Sequence, residues 1–274
     1  MKSYFITGRS GFIGSAFNDD VRYINLRENE YENLAGCSAI IHLAGLAHRK
    51  YTNVEYQAVN VELTVELCEK AAQYGVRRFV YLSSINVSKL LDNNSIALDS
   101  ATMSKYKAEM SLIELCKEKA IELVIVRAPL VYGPNAPGNF GLLTKLVSKL
   151  PFLPFGLVNN KRNFVAVQNL VDLLVTCATQ PNAAGHTFFA SDGQTVSIKE
   201  FTNAIAKGLD KTLIQLPVPI SWMRFAGRLI GKSEMVEQLL GNLQVDASNA
   251  QEVLGWVAPY TMEQAMASLS ETKK

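Results

Sequence analysis

Thr7-Gly8-Arg9-Ser10-Gly11-Phe12-Ile13-Gly14 follows the apolar run Tyr4-Phe5-Ile6 and opens a new apolar segment. A strand, a glycine turn and a helix start in that order make a phosphate cradle, because glycine lets the backbone approach and a helix N-terminus offers unpaired N–H groups. Three glycines spaced by three also suit an ordinary tight strand-to-helix turn. Their place at the N-terminus, directly after a strand, points to a dinucleotide as the guest.

The chain has 274 residues, 48% of them hydrophobic and 19% charged, with a formal net charge of +2, enough for one large domain or a large and a small one. No basic block interleaved with aromatics suggests a nucleic-acid partner. Cys37, Cys68, Cys116 and Cys177 lie far apart with no Cys-x-x-Cys, so neither a metal site nor a disulfide framework is expected. No apolar run reaches the roughly 18 residues of a membrane span, and no basic leader precedes the first strand, so the reading is a cytoplasmic protein.

Outward from the glycine turn, Phe12 to Phe17 can form only a short helix before a second strand, Val21 to Asn25. At the end of that strand, where a Rossmann protein sets an acid against a free ribose 2′-OH, stand Asn25, Leu26 and Arg27. With Arg9 in the turn, this favours NADP(H), NAD(H) being the alternative and solvated arginines the plain one. Ala39 to Gly45 reads as the third strand, ending in small residues, with His42 a structural residue inside it and His48 in the loop beyond. Val54, Ala58, Val61, Val65, Cys68 and Ala72 fall on one face of a long helix that Asn60 interrupts and Gly75 stops.

Arg78 to Leu82 is a buried strand ending at Ser83-Ser84, two hydroxyls where open parallel sheets bind ligands. Met103 to Ala120 is helical and Leu123 to Arg127 a fifth strand, an alternation that argues a parallel sheet with right-handed crossovers. Beyond Ala128, dense Pro and Gly with a short helix at Phe140 to Leu150 suggest a substrate lobe. The expected architecture is α/β: a doubly wound parallel sheet over residues 1–127, to which 163–190 return, and a small mixed lobe from 128–162 and 191–274.

Several segments carry a resemblance that runs the length of the chain. The spacing of Gly8, Gly11 and Gly14, His42-Leu43-Ala44-Gly45, Val59-Asn60-Val61, Ser83-Ser84, Ser104-Lys105, Tyr132-Gly133-Pro134, Lys161 to Leu170 and Leu254-Gly255-Trp256 resemble the extended short-chain dehydrogenases/reductases. Within them, the pattern is similar to the NAD-dependent epimerase/dehydratase family, above all bacterial reductases of UDP-4-keto-6-deoxy-N-acetylhexosamines that serve surface polysaccharide synthesis. The resemblance implies a UDP-sugar substrate and a homodimer joined through the two long helices. It makes Gly8 to Gly14, Asn25, Arg27, Leu43, Ala44, Gly45, Asn60, Ser83 and Lys105 cofactor residues, and Ser84, Asn86, Asn139, Phe140 and Arg162 substrate residues.

The family's chemistry uses Ser, Tyr and Lys, the Tyr hydroxyl exchanging a proton with the C4 oxygen. Ser84 and Lys105 match, but four residues before the Lys, where the Tyr should share its helical face, stands Ala101. Tyr106 points about 140° away around the helix, and Thr102 is a poorer acid. Ala101 therefore marks either a Tyr-to-Ala change made to trap a ligand or a lineage that has lost or rerouted its proton donor; the isolation of the loss favours the first. The alternatives to C4 reduction are a UDP-N-acetylglucosamine/galactosamine 4-epimerase and, in another class, a catalytically inactive cofactor-binding sensor. A 4,6-dehydratase fits less well, since Ile85-Asn86 follow Ser84 where that group carries Asp-Glu.

Overall fold

Strands fall where apolar runs are short and β-branched. The computed structural model describes residues 4–47, 49–91 and 99–271, and His48 lies outside them. Its main sheet has six parallel strands in the order β2-β1-β3-β4-β5-β9: β1 Tyr4–Thr7, β2 Arg22–Ile24, β3 Ala39–His42, β4 Arg78–Ser84, β5 Glu122–Ala128 and β9 Thr187–Phe189. Chain direction across the sheet reverses between β1 and β3, so their carboxyl ends flank the crevice where ligands of doubly wound sheets sit.

The first crossover is short. Helix α1 spans only Phe12–Ser15, and Phe17 and Val21 bury themselves against the sheet beside it. After β3, a Thr52–Glu55 capping box starts α2 at Asn53–Tyr56, and a π-helical stretch over Gln57–Glu62 leads into α3, Leu63–Gln73. The long-helix expectation needs correction here. Val54, assigned to the buried face, is 78% exposed, while Tyr56, Asn60, Thr64 and Leu67 point inward. A π-turn adds a residue and so rotates everything upstream of it relative to α3.

Helix α4 covers Asn86–Leu91, and α5 runs over Ser100–Glu118 from an Asp99 cap; it ends before Ala120, whose φ of 56° is left-handed. Helix α7, Val167–Thr179, packs Leu170, Leu173, Leu174 and Cys177 onto the other face of the sheet.

The second lobe holds a three-stranded sheet, β10-β8-β6, from β6 Leu130–Tyr132, β8 Arg162–Ala166 and β10 Thr195–Val196. Residues 163–166, expected to rejoin the main sheet, therefore pair in the small one, and β9 is the strand of the 163–190 stretch that pairs in the large sheet. Val165 still packs in the main-sheet core from its place in the small sheet. A pair of two-residue strands, β7 Phe152–Leu153 and β11 Ile214–Gln215, and helices α6 Gly138–Lys149, α8 Ile198–Gly208, α9 Ile220–Leu229, α10 Ser233–Leu240 and α12 Met262–Glu271 complete the lobe. Its core is aromatic, with Phe164 stacked on Phe201 at 3.8 Å. Helix α11, Ser248–Leu254, belongs instead to the large core, where Ala250, Val253 and Trp256 pack.

Candidate active site

At the end of β1, Gly8 has a φ of 70°, and a side chain there would meet the Ala44 nitrogen at 2.9 Å. A Cβ at Gly14 would lie 2.1 Å from the Gly8 carbonyl oxygen, so the turn closes only with glycine at both positions. Gly11 N–H donates to the Gly8 carbonyl at 2.9 Å, and the first turn of α1 has no side-chain cap. The cradle is thus a strand end, a glycine turn and uncapped N–H groups beside Leu43, Ala44 and Gly45. Ser10 and Gly11 are exposed on its rim, Ile13 packs on the main core, and Phe12 packs on the second lobe.

Arg9 is committed within the turn. Its guanidinium donates to the Gly14 carbonyl at 2.9 Å and to Asp19 Oδ1 at 2.9 Å, stopping the one-turn helix with a side chain. Asn25 Oδ1 accepts from Arg27 N–H at 3.2 Å, and the Arg27 side chain is exposed beside it.

A closed hydrogen-bond chain fixes the turn after β3. Thr64 Oγ1 donates to the Asn60 carbonyl at 2.9 Å, so toward His42 Nε2, also 2.9 Å away, it can only accept. His42 therefore carries its proton on Nε2, and Nδ1 accepts from Thr7 Oγ1 at 2.8 Å. The Thr7 hydroxyl in turn accepts the N–H groups of Leu43 and Ala44, each at 3.1 Å. Burial, with Lys105 nearby, pushes the imidazole pKa down to about 3, so the ring is neutral.

Asn60 sits in the π-turn and reaches sideways. Its Oδ1 accepts Leu46 N–H at 2.7 Å, and its Nδ2 donates to the Leu46 carbonyl at 3.2 Å and to Ser104 Oγ at 2.9 Å. Ser104 passes a bond on to the Ala101 carbonyl at 2.8 Å. One amide thus locks the end of β3 to the turn of α5 that carries positions 101 to 105.

Lys105 Nζ donates to the Leu82 carbonyl at 3.0 Å and lies 4.7 Å from the centre of the Tyr81 ring. A Cβ at Gly45 would come within 3.3 Å of that nitrogen and 3.1 Å of Asn60 Oδ1, so glycine keeps the approach to both open. Burial lowers the Lys105 pKa to about 8 against the opposing pull of Glu109 one turn later. Glu109 itself is buried and gripped by Arg127 through bonds of 2.6 and 3.1 Å. Ser84 Oγ accepts Asn86 N–H at 3.2 Å, and Ser83 Oγ is buried without a partner. Ala101, on the same helical face as Lys105, presents only a methyl group.

The second lobe receives its residues differently. Phe140 is buried against Tyr132 and Phe201 at 5.8 and 5.9 Å, so its ring serves the lobe core while Asn139 beside it is exposed. Arg162 is buried, with Nη1 donating to the carbonyls of Gln238 and Gly241 at 2.6 and 2.8 Å, and burial brings its pKa down to about 10. Asp192, whose pKa burial raises, accepts from Tyr132 OH, Ala166 N–H and Asn169 and so holds the small sheet together. Thr7, Thr64 and Glu109 were missed by sequence reasoning; Thr7 could have been found as the residue facing His42 across neighbouring parallel strands.

The glycine cradle, the unpartnered Ser83 hydroxyl and the close approach to Lys105 that only a glycine at position 45 allows fit a nicotinamide dinucleotide. A parallel sheet of this order with these features is the short-chain dehydrogenase/reductase architecture. The chain belongs to the NAD-dependent epimerase/dehydratase family, whose model matches residues 20–190. It is 37% identical to the UDP-glucose 4-epimerase of Vibrio cholerae, over 96% of this chain and 93% of that one. Among solved structures, the UDP-N-acetylglucosamine 4-epimerase of Bacillus cereus superposes with a TM-score of 0.73 at 18% identity, covering 98% of this chain and 95% of that one. The NADPH complex of RMD from Pseudomonas aeruginosa gives 0.68 at 17% identity, covering 98% of each chain. These two likenesses concern the fold. No helix among the described residues is long and apolar enough to cross a membrane.

Proposed function

We propose that this chain acts on a UDP-hexose at C4, with 4-epimerisation the leading reading. Its chief support is the 37% identity to a UDP-glucose 4-epimerase over nearly the whole of both chains. Reduction of a UDP-4-keto-6-deoxy-N-acetylhexosamine, the sequence-based expectation, uses the same residues and ranks second, because the relative that matches throughout is named an epimerase. A homodimer joined through α3 and α5 belongs to the same proposal.

Gly8, Gly11 and Gly14 would hold the pyrophosphate, Leu43 to Gly45 the adjoining backbone contacts, and Lys105 the nicotinamide ribose. When bound, the dinucleotide supplies a hydride acceptor and donor at C4. Arg27 is the cation available to a ribose 2′-phosphate, since Arg9 is committed to Gly14 and Asp19, and NADP(H) is preferred on that ground. Ser84 Oγ accepts from Asn86 N–H and keeps its own proton for the C4 oxygen, so charge developing there meets a fixed donor. Arg162 reaches the diphosphate with the edge of its guanidinium not spent on Gln238 and Gly241.

Position 101 supplies no proton. A positioned general acid contributes about 10² to 10⁴ in rate, so the chain binds its ligands but turns over slowly. The test is Ala101→Tyr, assayed with UDP-glucose and NADP or NAD in parallel, and separately with a UDP-4-keto sugar and NADPH. The expected result is UDP-galactose formed faster by about that factor, with ligand affinities little changed. Gain on the keto sugar alone would make the protein a reductase, and gain on neither would favour the non-enzymatic sensor.

A further inference from the structure

Helix α9 presents apolar side chains in two directions. One side packs: Ile220 and Met223 join the lobe core, and Gly227 lies so near α10 that a Cβ there would meet Val236 at 2.7 Å. The opposite side carries Trp222, Phe225 and Leu229, within about 60° of arc at 100° per residue, and Ile230 follows. These four are 70%, 62%, 72% and 70% exposed. Monomeric proteins scatter single apolar residues over their surfaces but rarely line up a tryptophan, a phenylalanine and two aliphatics.

Cations border the stripe. Arg224 pairs with Glu237 at 2.7 Å, whereas Arg228 and Lys232 form no ion pair among the described residues. Long cationic side chains beside such a face can bury their stems and keep their heads at a charged plane. Trp, Phe and Leu on the outward face, with Arg224 and Arg228 along its edge and Lys232 just past its end, are the composition of a helix lying in a bilayer interface, its apolar side in the acyl boundary and its cations among anionic headgroups.

We propose that the face of Trp222, Phe225, Leu229, Arg228 and Lys232 docks the protein peripherally on an anionic lipid surface. The inference is independent of the reaction proposed above, because none of these residues belongs to the candidate active site.

Binding is measured with the full chain and vesicles of phosphatidylcholine, with and without phosphatidylglycerol. The chain has two tryptophans, and Trp256 is fixed by a 2.7 Å bond to Asp172, so Trp256→Phe leaves Trp222 as the sole fluorescent reporter. On anionic vesicles its emission should shift to the blue, and the protein should co-sediment with them. Replacing both Arg228 and Lys232 with Gln should weaken the association about 25-fold, at roughly fivefold per cation near an anionic surface. Phe225→Ser with Leu229→Ser should abolish it; both sites are exposed, so circular dichroism should show an unchanged fold. Equal affinity for neutral vesicles, no blue shift, or binding indifferent to these variants would overturn the proposal. So would self-association by light scattering that the serine variant removes, which would make a second copy the occupant.

Discussion

Lys105 and His42 are both held against their ordinary titration by burial, and both make stability depend on pH in a determinable direction. The Lys105 ammonium has its pKa lowered to about 8, while in the unfolded chain it titrates near the ordinary lysine value of 10.5. Between those values the unfolded state holds the proton and the folded state does not, so stability rises with pH across that window and is lost as pH falls toward 8. Lys105→Met should flatten that part of a urea-melt pH profile, and an unchanged slope would contradict the burial of the ammonium. His42 has the same sign at a lower window, between about 3 and the ordinary histidine value of 6.5, and contributes to acid unfolding. The cofactor choice also belongs at this scale. With Arg9 committed, Arg27 alone should distinguish the phosphate: calorimetry should find NADPH tighter than NADH and Arg27→Ala narrowing the gap, and the reverse order would exclude the assignment. Ser84, Lys105 and the missing phenol were legible because type and spacing carry that chemistry. The tautomer of His42 was not, because it follows from four partners spread over three separate stretches of chain.

Among elements, the π-turn separates what periodicity can and cannot predict. The apolar spacing from Val54 to Ala72 identified the helix but placed Val54 and Ala58 on its buried face, because a constant 3.6-residue period cannot register one inserted residue. Asn60 was the visible mark of that insertion. The distortion swings a polar side chain inward where a regular turn would bury an apolar one, and the amide then bridges β3 and α5. Asn60→Ala would leave Leu46 without its side-chain partners and release Ser104, two consequences of one deletion. An unsatisfied buried group costs about 1 to 3 kcal/mol, and since Leu46 is only half-buried and Ser104 keeps its bond to the Ala101 carbonyl, chemical denaturation should show a loss of about 1 kcal/mol or more. Dinucleotide affinity should fall as well, since the Gly45 turn and Lys105 share this bridge. A stable variant with unaltered cofactor binding would mean that the turn holds its shape without the amide.

At the scale of the whole molecule, each lobe is held together by a buried arginine as well as by its core. Arg78, at the start of β4, donates to Glu122 and to the carbonyls of Cys177 and Gln180, joining β4, β5 and the end of α7. Arg162 does the corresponding work in the small lobe. It fastens β8 to the end of α10, and the backbone continues the seam where Leu243 N–H donates to the Lys161 carbonyl and Asn163 N–H to the Leu243 carbonyl. Sequence pattern placed a cation before a short strand but had no access to these carbonyls, some eighty residues further along the chain. The same guanidinium is therefore asked both to hold a strap and to meet a diphosphate. Removing it should expose both tasks. Arg162→Ala leaves two carbonyls without their charged donor, which should lower stability by about 1 to 3 kcal/mol in a urea titration. If the free edge of the guanidinium also pairs with the diphosphate, UDP affinity should fall about tenfold or more, since a charge-assisted pair contributes roughly 1.5 to 3 kcal/mol. Dinucleotide affinity should stay constant, because its cradle lies at the ends of β1 and β3 in the other lobe. Equal losses for UDP and dinucleotide would assign Arg162 to the strap alone, and Arg162→Lys, which keeps the charge without the fork, should then recover stability and UDP binding together.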